Sequence, residues 1–145
     1  MLLIAEVHSA PLTLERSQEL ADFCQSILSI SKGIFFAGAI NKHGRILESR
    51  LRDDGLLKNL DSKDLEMLFM QCSLQASMIK DYDIILGPAR YALVERNNAV
   101  EFVFPFHLGI ILVIANPDVY PRKLVVKISK LVNKFDLLSE AKKLR

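Results

Sequence analysis

At 145 residues the chain is the length of one domain, enough to bury most of its apolar surface without disulfides or metal. Half of the residues are hydrophobic and a quarter charged, the balance of a soluble globular protein, and a net charge of +2 gives no argument for nucleic acid. The two cysteines, Cys24 and Cys72, are too few for a disulfide framework and read as reduced core thiols of an intracellular protein, with a single Cys24–Cys72 bridge as the alternative.

After an extended start, Pro11 or Thr13 opens a first helix that runs to about Ile30. Leu20, Phe23, Cys24, Ile27 and Leu28 form its apolar stripe, and Glu15, Gln18, Asp22, Gln25 and Ser29 its polar side. Gly33 ends it and begins a strand over 34–40 that is apolar at every position, hence central and covered on both faces. The turn Asn41-Lys42-His43-Gly44 returns the chain into a strand over 45–51, where Arg45, Glu48 and Arg50 suit a sheet edge. Asp53-Asp54-Gly55 breaks the pattern, and Asp61 or Ser62 caps a second helix to about Lys80, with Asp64 near its positive end. Gly87-Pro88 stops what remains of it. Three strands follow, over 89–95, 100–105 and 110–115, the last apolar throughout. Asn116-Pro117-Asp118 and Pro121 lead into a final helix with Leu124, Val125, Ile128, Leu131, Val132 and Phe135 on its inner side, and the tail 139–145 extends it or frays.

The order α-β-β-α-β-β-β-α, with hairpins in place of βα units, makes the class α+β. Placing the two fully apolar strands at the centre predicts a single five-stranded antiparallel sheet in the order 2-1-5-4-3, with helices on both faces. No repeat, low-complexity tract or linker divides residues 1–145. The domain core is expected over about 13–135, with a basic C-terminal helix or tail at 136–145. The longest apolar run, 109–115, is far short of a membrane span, and residues 1–5, followed by Glu6, are too short for a signal-peptide core. A cytoplasmic protein is expected.

The second helix has two apolar faces. Stepping 100° per residue, Leu65, Leu68, Phe69, Cys72, Ala76 and Ile79 fall on one side, and Met67, Met70, Leu74 and Met78 on the other. One face can cover the sheet. The other has the spacing of a helix-packing seam and needs a second surface, either another element of the same chain or a second copy of it. Methionine also suits adaptable surfaces, so a different partner can share the seam.

Three stretches carry a family resemblance. The strand Ile34-Phe35-Phe36-Ala37-Gly38-Ala39-Ile40, the turn Asn41-Lys42-His43-Gly44-Arg45 and the strand Ile46-Leu47-Glu48-Ser49 resemble the first hairpin of the roadblock/LC7 group, within the profilin-like and longin-like superfamily. The stretch from Glu66-Met67-Leu68-Phe69-Met70 through Leu86-Gly87-Pro88 is similar to that of archaeal roadblock-like proteins. The resemblance implies a dimer in which third strands pair into one continuous sheet and second helices pack together. It also implies a non-enzymatic platform that regulates or tethers a small GTPase, or serves a motor or membrane-associated assembly.

The expected dimer surface is therefore Met67, Met70, Leu74 and Met78, with the third-strand residues Arg90, Tyr91, Ala92, Leu93 and Val94 pairing with their own copy. An ordinary edge, shielded by the connection after Asp83, is the alternative. Lys123, Lys127, Lys130 and Lys134, joined by Lys142, Lys143 and Arg145, make a basic stripe on the last helix. It is a solvated face, or else a face for an acidic partner or anionic lipid, and it has no interleaved aromatic for stacking bases. His8, His43 and His107 are scattered as turn or surface residues and have no ligand partners at metal spacing. Asp53, Asp54, Asp61, Asp64, Asp81 and Asp83 sit at element ends, where capping accounts for them. No phosphate-cradling glycine loop, dinucleotide fingerprint or nucleophile elbow occurs, so no catalytic residue, metal or cofactor is expected. A small-molecule sensor of the PAS or GAF kind, with a ligand between sheet and helix, is the alternative to the platform.

Overall fold

The computed structural model describes residues 12–52 and 56–143, without the side chains of 142 and 143. The extended start, His8, Pro11, Asp53, Asp54, Gly55, Arg145 and the side chains of Lys142 and Lys143 lie outside the described residues.

Helix α1 (Leu14–Leu28) is opened by Thr13, whose hydroxyl accepts from the Arg16 amide at 3.2 Å. The helix stops at Leu28, short of Ile30. The Arg52 guanidinium donates to the carbonyls of Leu28 (2.6 Å), Ser31 (3.3 Å) and Ile34 (2.8 Å), supplying the partners that a further turn of helix would otherwise give. Strands β1 (Ile34–Asn41) and β2 (Ile46–Leu51) form the first hairpin. Its turn is held by the Asn41 side-chain oxygen, which accepts from the amides of His43 (2.9 Å) and Arg45 (3.0 Å).

A 3₁₀ turn, Leu56–Asn59, precedes α2 (Ser62–Ile79), which Asp61 caps by accepting from the Asp64 amide at 2.8 Å. The chain then makes a second 3₁₀ turn, Lys80–Tyr82, and a single helical turn, α3 (Asp83–Leu86), before Gly87 at φ 82° turns it away. The remaining elements are β3 (Ala92–Glu95), β4 (Val100–Phe106), β5 (Gly109–Ala115) and α4 (Pro121–Lys143). The third strand starts three residues later than the pattern predicts. In the β3–β4 register Arg90 would fall opposite Pro105, which has no N–H to give, so the ladder begins only at Ala92.

All neighbouring strands are antiparallel, in the order β2-β1-β5-β4-β3, as the placing of the two apolar strands predicts. On one face α1 and α4 bury Leu20, Phe23, Ile27, Leu124, Ile128 and Val132 against Ala37, Ala39, Phe102, Phe104, Ile111 and Val113. The Phe23 and Phe135 rings stack there at 4.4 Å. On the other face α2, with Phe69 and Cys72, and the 3₁₀ turn before it, with Leu57, cover Phe36, Ile40, Ile110, Leu112 and Ile114. Burial on this scale, about 25 cal/mol for each Å² of apolar surface, is the main force holding both helical layers to the sheet.

Candidate protein-interaction surface

Helix α2 is fixed to the sheet by its inner side and by the first hairpin. Phe69 and Cys72 are buried, and Leu65, Leu68 and Ala76 are packed against them. Ile79, assigned by periodicity to the same side, is 41% exposed, on the wall of an open cleft at the end of the helix. The Ser73 hydroxyl donates toward the Lys42 carbonyl at 3.3 Å. Gly44, at φ 81°, lets the turn lie directly on Met70, where a Cβ would come within 2.9 Å of the Met70 Cα. The second set, Met67, Met70, Leu74 and Met78, points away from the sheet into solvent. Met70, beside the Gly44 turn, is 54% and Leu74 62% exposed, and no described helix or strand covers them.

Strand β3 is the second part. Leu93 and Val94 are exposed, Ala92 is half-buried, and no described strand pairs with its outer edge. Arg90 and Tyr91, expected in the strand, precede it; Tyr91 leans on Phe104 with ring centroids 6.1 Å apart. Between β3 and the end of α2 lies an apolar cleft of about 100 Å³, lined by Cys72, Ala76, Ile79, Tyr91, Val94 and Val103 among others. Asp83 also lines it, and its Oδ1 is buried without a hydrogen-bond partner. The connection after Asp83 leaves β3 unshielded, since Ile84 is 100% exposed and Ile85 and Leu86 nearly as open. A row of unmatched backbone donors and acceptors beside a wide apolar stripe is chemically a surface for joining protein to protein.

Polar groups nearby are committed to structure. Glu101, buried on β4, pairs with Arg96 across the β3–β4 turn. Sequence reasoning missed this carboxylate, although alternation along β4 sets it opposite in facing to Phe102 and a short turn brings Arg96 level with it. Burial pushes the Cys72 thiol up to about 11, with the Glu101 carboxylate adding to the effect and Arg96 opposing it. Burial likewise pushes Cys24 up to about 12, against the pull of Arg50. These thiols should resist a thiol reagent at pH 8 in the native protein and react once urea is added, as counted by absorbance. Unfolded thiols lose their protons from about pH 9 while the folded ones keep them, so stability should fall as pH rises from that point. A urea midpoint lower at pH 10 than at pH 8 checks the sign.

His107, expected as a turn or surface residue, is in the β4–β5 turn, where its side chain is 14% exposed and its Nδ1 lies 2.6 Å from Asp136 Oδ1, tying the turn to α4. Among the described residues no group of three His, Cys, Asp or Glu side chains is placed to hold a metal ion, and no helix is long and apolar enough to cross a membrane. Lys123, Lys127, Lys130 and Lys134 are all exposed along α4, on the sheet face opposite α2, and the Lys123 ammonium sits 5.4 Å from the centre of the Tyr120 ring. The structure thus separates the apolar stripe from the basic one.

A five-stranded antiparallel sheet in this order, with one helix on one face and two on the other, is the roadblock/LC7 fold. Among solved structures the chain is similar to MglB of Myxococcus xanthus, with a TM-score of 0.71 and 12% identity over 90% of this chain and 94% of that one. It is also similar to a roadblock/LC7 domain of Streptomyces avermitilis, with a TM-score of 0.63 and 16% identity over 79% of this chain and 92% of that one. LokiProfilin1, solved in complex with rabbit actin, extends the likeness to the profilin fold at a TM-score of 0.52 and 14% identity, covering 89% of this chain and 99% of that one. No family model matches the chain, and no curated protein sequence does.

Proposed function

We propose that the chain is a non-enzymatic homodimeric platform that binds another protein. The observation that carries this reading is the solvent-facing stripe of Met67, Met70, Leu74 and Met78 beside the unmatched edge of β3. Two copies joined at β3 would make one ten-stranded sheet with the stripes packed on each other, which removes both the open edge and the exposed methionines from water. The roadblock/LC7 fold agrees with such an arrangement, and a small GTPase is the partner class the resemblance implies. Light scattering during size exclusion should give twice the monomer mass. Calorimetric titration with a panel of small GTPases should find one that binds with a preference for GDP or for a GTP analogue. A monomer at high concentration overturns the homodimer, and a dimer indifferent to every GTPase leaves a platform for another class of protein.

The cleft between α2 and β3, with the unpartnered Asp83 oxygen on its wall, favours the sensor as a second reading. Thermal stabilisation by a member of a metabolite library, kept in an Ala76→Leu variant that narrows the cleft, would count against ligand binding there.

A further inference from the structure

We infer that the outer face of α4 docks an acidic protein segment, a partner surface distinct from the α2 stripe. Arg122, Lys123, Lys127, Lys130 and Lys134 are all exposed, and the chain has no Asp or Glu between Asp118 and Asp136. Asp136 turns inward to His107, so the first carboxylate on the outer side is Glu140, near the end of the helix. With a net charge of +2 for the whole chain, five cations on one helical face leave the remainder net negative. The charge is therefore concentrated and not general, which is what gives a surface selectivity for a complementary partner.

Three further observations select the class of partner. The cations are interleaved with apolar side chains open to water: Val126 is 53%, Leu137 67% and Leu138 56% exposed. A purely solvated helix face has no need of them, whereas a partner with apolar residues beside its carboxylates can cover them. The strip is also narrow. Across the groove beside α4 the neighbouring helix presents Asp22, with Glu15 two turns earlier. A flat anionic bilayer would press on these carboxylates together with the lysines. Nucleic acid would find one aromatic beside the cations, Tyr120, at the extreme end of the strip. A strip about one helix wide and, over Arg122 to Leu138, about 24 Å long matches an acidic amphipathic helix.

The strip exists in a single chain. Its doubling rests on the platform reading: antiparallel pairing of two β3 edges sets the two-fold axis perpendicular to the sheet, so the two copies of α4, which packs over β4, would lie on the same side. Three strand spacings, about 14 Å, would then separate two basic helices, and a partner spanning both would gain avidity.

The test is fluorescence anisotropy of a labelled Glu/Leu peptide with leucines at helical spacing, added to the full chain at low ionic strength. Wild type should bind it, more weakly as salt is raised. Lys127→Glu, Lys130→Glu should weaken binding at least about tenfold, and Leu137→Ser, Leu138→Ser by a smaller factor. All four positions are exposed, so both variants should keep the wild-type circular dichroism and the wild-type mass by light scattering. That separates this surface from the α2 seam, whose failure would appear as a change in mass with peptide binding retained at single-site strength. Equal binding by the charge-reversed variant, or no binding by wild type, overturns the inference. So does tighter binding to phosphatidylserine vesicles or to a single-stranded oligonucleotide than to the peptide.

Discussion

A Met70→Glu, Leu74→Glu variant is expected to be a folded monomer under conditions in which the wild type is a dimer. In the single chain both side chains already face water, so exchanging them for carboxylates should change its stability by about 0.5 kcal/mol or less at each site. In a two-fold seam each substitution occurs twice, and four carboxylates would have to leave water with no basic residue of the stripe to receive them. At roughly 1 kcal/mol or more for each of the four, the dissociation constant should rise by a factor on the order of a thousand or greater. Light scattering reports the mass and circular dichroism the fold. Met70 also touches the Gly44 turn, so Leu74→Glu alone is the cleaner companion: it should weaken the dimer without disturbing the hairpin. A double variant that stays dimeric would place the seam elsewhere, and a Leu74→Glu chain that unfolds would make the stripe part of the core.

The second large effect is expected at Gly109, where β5 begins beside the end of β1. Its φ is 155°, and a Cβ added there would lie 2.1 Å from the Ile40 carbonyl oxygen and 2.9 Å from the Asn41 backbone. Backbone atoms of a paired strand cannot rotate aside as a side chain can, so Gly109→Ala must separate the two central strands or distort both. A loss of about 3 kcal/mol or more is expected, lowering the melting temperature by roughly 10 °C. Gly87→Ala is the control, because Gly87 also has positive φ but nothing lies within 4 Å of its Cβ position. That variant should show only the backbone strain of a positive-φ, extended conformation that suits glycine alone, about 2 kcal/mol. Similar melting temperatures for the two would mean that the β1–β5 contact is slacker than its geometry indicates.

Much of this architecture was legible because it is written in local periodicity. The stripes of α1 and α4, the caps Thr13 and Asp61 and the two continuous apolar strands each follow from residues within a few positions of one another, and the sheet order follows from putting those strands in the middle. The misplacements share a different origin. The start of β3 is decided by Pro105 on the neighbouring strand, and the end of α1 by Arg52 more than twenty positions along the chain. Of the candidate surface, the α2 stripe was readable because both its faces are apolar. The cleft was not, because it is made by the break after Ile79 and the late start of β3, neither of which a helical or strand period records. Glu101 was passed over for a related reason: one carboxylate in an apolar strand shows its role only when Arg96 is seen beside it.

The Arg52 guanidinium gathers carbonyls from the end of α1, the loop after it and the start of β1, and all three acceptors are uncharged. Acid that protonates carboxylates leaves these oxygens as they are, and added salt has no opposing charge to screen. Arg96 with Glu101 depends on an ionised partner; this joint does not. The hinge between α1 and the sheet should therefore hold its geometry across changes of ionic strength that loosen the β3–β4 corner on the opposite edge.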